Sequence, residues 1–304
     1  MSRFLSAPGM LLRTARRVQR SLRAMAEQKI LLAAMEFFLS DTCNLRCKNC
    51  AVSSPFMSEA NQPSLGSFVE SLSLLSPVMR CDELRFLGGE PLLNRDICSF
   101  IRAARNSGIF RNILVVTNGL LLPKVSEEFW ELTDAVRVSV YPATNDVFSE
   151  TQLASIKAKA ERYRTILEVT RNTNFMEAIS DTRIEDRSVV RRTFANCGEA
   201  HEWSCHLLYR NRLYRCSRVH TLDRYLGNIG VEHDNFTDRD GVVIDGRTSL
   251  FRDLKTYLRS SEPLNACSFC LGTASPSVEH RQLTVQEIQS KLARRSPRDV
   301  SPSI

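Results

Sequence analysis

No apolar run in this chain approaches the roughly 18 residues that a membrane-crossing helix needs, so no membrane span is expected. The N-terminus lacks the long apolar segment and small-residue cleavage site of a secretory signal peptide. The five histidines (His201, His206, His220, His233 and His280) lack a ligand spacing such as HExxH. Surface or loop positions are expected for them, with His206 and His220 as acid–base candidates. There is no internal repeat. A basic body is also missing. Six basic residues precede the first acid, Glu27, and the last fourteen residues add a net three, so the overall +7 leaves residues 27–290 at −2. Charge confined to two tails argues against a nucleic-acid-binding body.

What is present fits one large domain or a domain with a small appendage. The chain has 304 residues, 43% of them hydrophobic, enough for a sizeable core. A charged content of 25% excludes wholesale disorder. The Arg-rich start reads as an amphipathic helix over 9–26, with Met10, Leu11, Val18, Leu22 and Met25 on one side. Ten cysteines without a secretion signal point to a reducing cytoplasm, where clustered thiols more often mean metal or redox chemistry than bridges.

From residue 35 short β-like runs alternate with helical stretches. Strands are expected at Met35–Ser40, Glu83–Leu87, Asn112–Val116, Ala135–Val140 and Thr165–Thr170, and helices at Phe68–Leu75, Ile97–Arg105, Glu127–Leu132 and Gln152–Arg164. This interval indicates right-handed βαβ units with parallel strands. In such folds chemistry sits at the carboxyl ends of strands. The unusual residues fall there: a cysteine loop after the first strand, Gly88-Gly89-Glu90-Pro91 after the second, Thr117-Asn118-Gly119 after the third. After Thr170 the rhythm is lost, and five cysteines follow between 197 and 270.

Cys43, Cys47 and Cys50 form a C-x3-C-x2-C loop. Three thiolates on one loop can hold three irons of a [4Fe–4S] cluster and leave the fourth iron open; a zinc site short of one ligand, or plain redox thiols, are the alternatives from spacing alone. With GGE and TNG at the next strand ends, residues 35 to about 170 resemble the radical S-adenosylmethionine (radical SAM) superfamily. The resemblance implies a partial (β/α) barrel over 31–185, after a basic N-terminal helix at 1–30. It implies that Cys43, Cys47 and Cys50 hold the cluster and that SAM chelates its open iron. Gly88, Gly89 and Glu90 would hold the SAM methionyl ammonium, the glycines letting backbone approach a ligand closely. Thr117, Asn118 and Ser139 would contact its ribose or carboxylate. Asn49 stands where many members have an aromatic residue.

Cys197, Cys205, Cys216, Cys267 and Cys270 make a second set, with Cys267-Ser-Phe-Cys270 at C-x2-C spacing. Leu207–Tyr209 reads as one arm of a hairpin turning through Arg210-Asn211-Arg212. The arrangement resembles the auxiliary-cluster domains called SPASM and twitch, whose Cys, spacer, Gly-x4-Cys opening is matched by Cys197, Asn211 and Cys216 with Asn for Gly. That implies a small α/β auxiliary domain at 186–285 with one [4Fe–4S] cluster, held by Cys216, Cys267, Cys270 and either Cys197 or Cys205. The remaining cysteine would be inert or a hydrogen-atom donor. Four thiolates on zinc is the alternative. Residues 286–304 read as a disordered tail.

The expected activity is SAM cleavage to a 5′-deoxyadenosyl radical that abstracts hydrogen from a small polar substrate: a sugar, aminocyclitol or nucleoside, dehydrogenated or epimerised. A flavodoxin or ferredoxin would supply the electron. A peptide-maturing enzyme and a non-catalytic metal scaffold are the competing readings.

Overall fold

The computed structural model describes residues 29–57, 63–144 and 150–293. The helix expected over 9–26 lies outside them. Ten strands are described: β1 (Ile30–Ser40), β2 (Met79–Gly88), β3 (Phe110–Thr117), β4 (Ala135–Val140), β5 (Ile166–Arg171), β6 (Asn174–Met176), β7 (Leu207–Tyr209), β8 (Arg212–Tyr214), β9 (Val242–Val243) and β10 (Ser277–Glu279). The longer helices are α1 (Leu65–Leu75), α2 (Ile97–Asn106), α3 (Glu127–Leu132), α4 (Glu150–Tyr163), α5 (Arg187–Ala195), α6 (Arg218–Asn228), α7 (Leu250–Arg259) and α8 (Val285–Leu292). None among the described residues is long and apolar enough to cross a membrane.

The five strands read from the sequence pair in parallel, in the order β5-β4-β3-β2-β1. The sheet then continues: β7 joins the other edge of β1 in parallel, and β8 and β9 add antiparallel strands. The result is an open mixed α/β sheet of eight strands. β1 is buried along most of its length because it is central and covered on both faces. Its neighbouring phenylalanines point to opposite sides. Phe37 joins Phe68, Phe86 and Phe100 in a core under α1 and α2, while Phe38 enters a second core with Phe194, Leu207, Tyr214 and Phe269.

Residues after 185 are therefore not a detached unit; they extend the sheet and build the second core on its other face. The hairpin turn is two residues, Arg210 and Asn211, both at positive φ (45 and 54), the geometry that suits the twist of paired strands. Past Thr170, where the strand–helix rhythm is lost, the chain still forms α5, capped by Asp186, whose side chain accepts from Ser188 N–H at 2.7 Å. The tail read from residue 286 begins instead with α8, started by a capping box between Thr284 and Glu287. Residues 294–304 lie outside the description.

Candidate active site

The parallel register brings the carboxyl ends of β1, β2 and β3 side by side, with Ser40 opposite Gly88. The cysteine loop leaves β1 there. Cys47 is buried; Cys43 and Cys50 are partly so. Burial first, and then the charge of neighbouring thiols, holds Cys43 and Cys47 up at about 12. Alone the sulfurs are neutral thiols; a coordinated cation is what makes buried thiolates tenable. Amide N–H groups already point at two of them. Gln282 Nε2 lies 3.2 Å from Cys47 Sγ, and Asn118 Nδ2 lies 3.6 Å from Cys43 Sγ. Among the described residues no three His, Cys, Asp or Glu side chains meet as a site for a single metal ion. A cubane asks for something else, since each thiolate takes a different iron. Three thiols on one loop with amide donors to sulfur fit that donor chemistry.

The two glycines allow a close backbone approach. A Cβ on Gly88 (φ 134) would lie 2.2 Å from Ser40 O, and one on Gly89 would lie 2.2 Å from Thr42 O. Gly89 N–H donates to Ser40 O at 2.7 Å, and Glu90 N–H to Thr42 O at 2.9 Å. What the glycines admit is the backbone of the cysteine loop itself. Glu90 is fully buried, and its carboxylate accepts from Leu92 N–H (3.1 Å), Thr117 Oγ1 (2.7 Å) and Asn118 N–H (2.9 Å). Burial still holds it above the usual carboxylate range. Glu90 thus ties the TNG segment to GGE, and Asn118 Nδ2 passes the tie to Asn44 Oδ1 at 2.6 Å. Asn49 sits at φ 57, a conformation asparagine tolerates, and its Nδ2 donates to Glu177 Oε1 at 3.2 Å. That is a local reason for Asn where an aromatic residue was expected.

Ser139, buried near the end of β4, hydrogen-bonds Tyr141. Burial raises the Tyr141 phenol, and any charge on the three loop cysteines would raise it further. Its ring stacks on His280 at 5.2 Å and 19°, with Phe175 beside both. Sequence reading missed this aromatic group; Tyr141-Pro142 at a strand end was its only local trace.

In the second set, Cys197, Cys216, Cys267 and Cys270 bear on one another electrostatically. Charges on Cys197 and Cys270 oppose ionisation of Cys267, Cys197 also bears on Cys270, and Cys270 bears on Cys216. Burial is the larger cause, and it raises Cys216, Cys267 and Cys270. Cys205 has Glu36, Glu199 and Arg85 as its charged neighbours, and burial followed by those carboxylates pushes it up. Glu199 and Arg218 form a buried ion pair beside the four, with Arg218 Nη2 2.6 Å from Glu199 Oε1 and Nε 2.9 Å from Oε2. Cys216 Sγ donates to Glu199 Oε2 at 3.4 Å.

One histidine also differs from expectation. His220 is buried on α6, with Nε2 2.9 Å from Asp41 Oδ1, and Arg224 pairs with the same carboxylate at 3.1 Å. His280 is buried too. His206, mostly enclosed, has Nδ1 3.1 Å from Arg215 O, and burial lowers it.

A cavity of about 410 Å³ opens beside Cys50 of the first loop and reaches Arg218, the partner of Glu199; no cysteine of the second set lines it. Cys50 and Ser53 of the first loop line it together with Arg281, Ile179, Arg218 and Tyr225. Ile179 bridges the strand-like backbone of Cys270, and Leu271 N–H donates to Ala178 O at 2.8 Å. Cys205 is not among the lining residues, so a role as hydrogen donor in this cavity has no geometric support.

Residues 37–175 match the family model described as "Radical SAM superfamily". Curated relatives include a GTP 3′,8-cyclase of Alkaliphilus oremlandii, 28% identical over 123 residues (38% of this chain, 37% of the relative). Another, from Clostridium acetobutylicum, is 26% identical over 155 residues, covering 49% of each chain. The chain spans less than half the length of these relatives. Among solved structures, BtrN in complex with AdoMet and 2-DOIA is 14% identical with a TM-score of 0.42, over 81% of this chain and 96% of that one. Native anSMEcpe with bound AdoMet and a Cp18Cys peptide is 16% identical with a TM-score of 0.35, over 46% and 42%.

Proposed function

We propose, on the premise that residues 37–175 are a radical SAM domain, that this chain is a hydrogen-abstracting enzyme acting on a small polar substrate held between its two cysteine sets. Cys43, Cys47 and Cys50 would hold a [4Fe–4S] cluster, and Gly88, Gly89, Glu90, Thr117, Asn118 and Ser139 would frame the SAM site. When bound, cluster and SAM supply reductive cleavage and a 5′-deoxyadenosyl radical. The chain's own part is to bind, orient and exclude water. The Glu90 brace fixes the strand-end loops around the first cysteines, and the cavity presents the substrate beside Cys50.

The observation that carries the reading is that one cavity runs from Cys50 to Arg218, whose partner Glu199 contacts Cys216. Its volume of about 410 Å³ suits a small molecule. Lys48, Asp181, Arg218, Arg281, Glu287 and Lys291 on its walls favour a polar one. Sugars, aminocyclitols and nucleosides are the classes of that size and polarity. The curated relatives, named for GTP, support the nucleoside member. Cys197, Cys216, Cys267 and Cys270 are the four ligands proposed for an auxiliary [4Fe–4S] cluster, with dehydrogenation or epimerisation as the outcome. A flavodoxin or ferredoxin in a reducing cytoplasm completes the proposal.

The test is anaerobic iron and sulfide content, with 5′-deoxyadenosine yield under reductant, in wild type and the Cys43/Cys47/Cys50 triple alanine. About eight irons falling to about four, with product lost, is expected. No 5′-deoxyadenosine from wild type would sink the reading. About four irons falling to none would remove the auxiliary cluster alone.

A further inference from the structure

The last segments of the described chain close over the first cysteine loop. β10 pairs with β6, and the following residues run antiparallel to the loop: Lys48 N–H donates to Arg281 O at 2.9 Å and Leu283 N–H to Arg46 O at 2.7 Å. Cys47 and Gln282 face each other at the centre of this bridge. The Gln282 side chain makes three contacts there. Its Oε1 accepts from Arg46 N–H, and its Nε2 lies 3.2 Å from Cys47 Sγ and 3.4 Å from His280 Nε2. A backbone N–H can only donate, so the amide oxygen must face Arg46 and the NH2 must face the sulfur. The orientation of this amide is therefore fixed by its neighbours.

We propose that Gln282 tunes the cluster at Cys43, Cys47 and Cys50, donating an N–H···S hydrogen bond to the Cys47 thiolate that raises the cluster's reduction potential. The proposal rests on the reading that Cys47 is a cluster ligand. Reduction adds negative charge that spreads onto the sulfurs, so a donor at sulfur stabilises the reduced form more than the oxidised one. Because Gln282 lies 235 residues beyond Cys47, the C-terminal half contributes directly to the electronics of the N-terminal site.

The experiment uses anaerobically reconstituted full-length protein: wild type, Gln282→Leu and Gln282→Glu. Samples are poised against redox mediators and the reduced cluster is read by electron paramagnetic resonance. The relevant signal is the one missing from the Cys43/Cys47/Cys50 triple alanine. Leu removes the donor; Glu keeps the acceptor for Arg46 N–H but turns a carboxylate toward sulfur. At the wild-type midpoint the ratio of reduced to oxidised cluster should fall at least ~3-fold in both variants, ~28 mV at ~59 mV per tenfold for one electron. A wild-type midpoint in a variant that retains the signal overturns the proposal, and should Leu fail to hold the cluster, Glu decides. A wild type with no signal that the triple alanine lacks overturns the cluster assignment itself, and the tuning proposal with it.

Discussion

Glu36→Gln tests the seam where the two halves of the chain meet. Glu36 lies mid-strand on β1, where its N–H donates to His206 O at 2.6 Å and its register partner is Leu207 of β7. Its carboxyl is buried between Arg85, Ser217 and Cys205, and desolvation, only partly offset by Arg85, lifts its pKa from 4.5 to about 7. At about 1.4 kcal/mol per pKa unit that difference is worth about 3 kcal/mol. Below pH 4.5 both folded and unfolded chains hold the proton, and the group has no effect. Between 4.5 and 7 the unfolded chain ionises while the folded one stays protonated, so stability falls as pH rises. Above 7 the full cost persists. Gln cannot ionise, so Glu36→Gln should abolish this slope and be more stable than wild type above pH 7 by up to about 3 kcal/mol, less whatever the Arg85 attraction contributed. At ~2–4 °C per kcal/mol, the gain in Tm should reach ~6–12 °C at pH 8 and vanish near pH 4.5. Anaerobic circular-dichroism melts across pH 4.5–8 measure it. Parallel wild-type and variant curves would show that the carboxyl is not held protonated, and the account of this seam would be wrong.

Gly89→Ala should displace the cysteine loop, since its Cβ would sit 2.2 Å from Thr42 O; loss of iron and of 5′-deoxyadenosine is expected. Gly108→Ala, which meets no atom within 4 Å, should keep both and lose only ~1–2 kcal/mol for its positive φ. Cys197→Ala should lose about four irons and Cys205→Ala none; equal losses by elemental analysis would show that the four-and-one division is false. Arg218→Met strands the buried Glu199 and should cost ~3–5 kcal/mol in thermal melts, most of it recovered in Arg218→Met/Glu199→Leu.

The parallel half of the sheet was legible because its information is local. Ala135–Val140 and Glu127–Leu132 have the bounds read from the pattern, and the three strand-end motifs converge as expected. β2 begins four residues before Glu83: Met79, Arg80 and Cys81 pair with β1, and the alternation breaks only at the two adjacent acids Asp82 and Glu83, where the expected strand starts. What could not be read depends on partners far along the chain. No feature of Leu207–Tyr209 says that it joins β1, and three-residue strands leave little pattern at all. Glycines at 88 and 89 are visible as permissive residues, but whether a ligand or Thr42 fills the space is a tertiary fact. The same applies to Cys197 against Cys205: spacing treats them alike, and only the fold sets Cys205 against Glu36. The buried place of His220 depends on Asp41, 179 residues away.

The bridge between Cys47 and Gln282 also sets an order of events during synthesis. A ribosome adding about 5–20 residues per second exposes the cysteine loop roughly 10–50 s before the residues that cover it are made. Through that interval the three thiols stand at the edge of an unfinished sheet, open to oxidants and to iron-delivery proteins alike. A metal taken up at this loop would meet Cys47 most easily before the last segment docks over it.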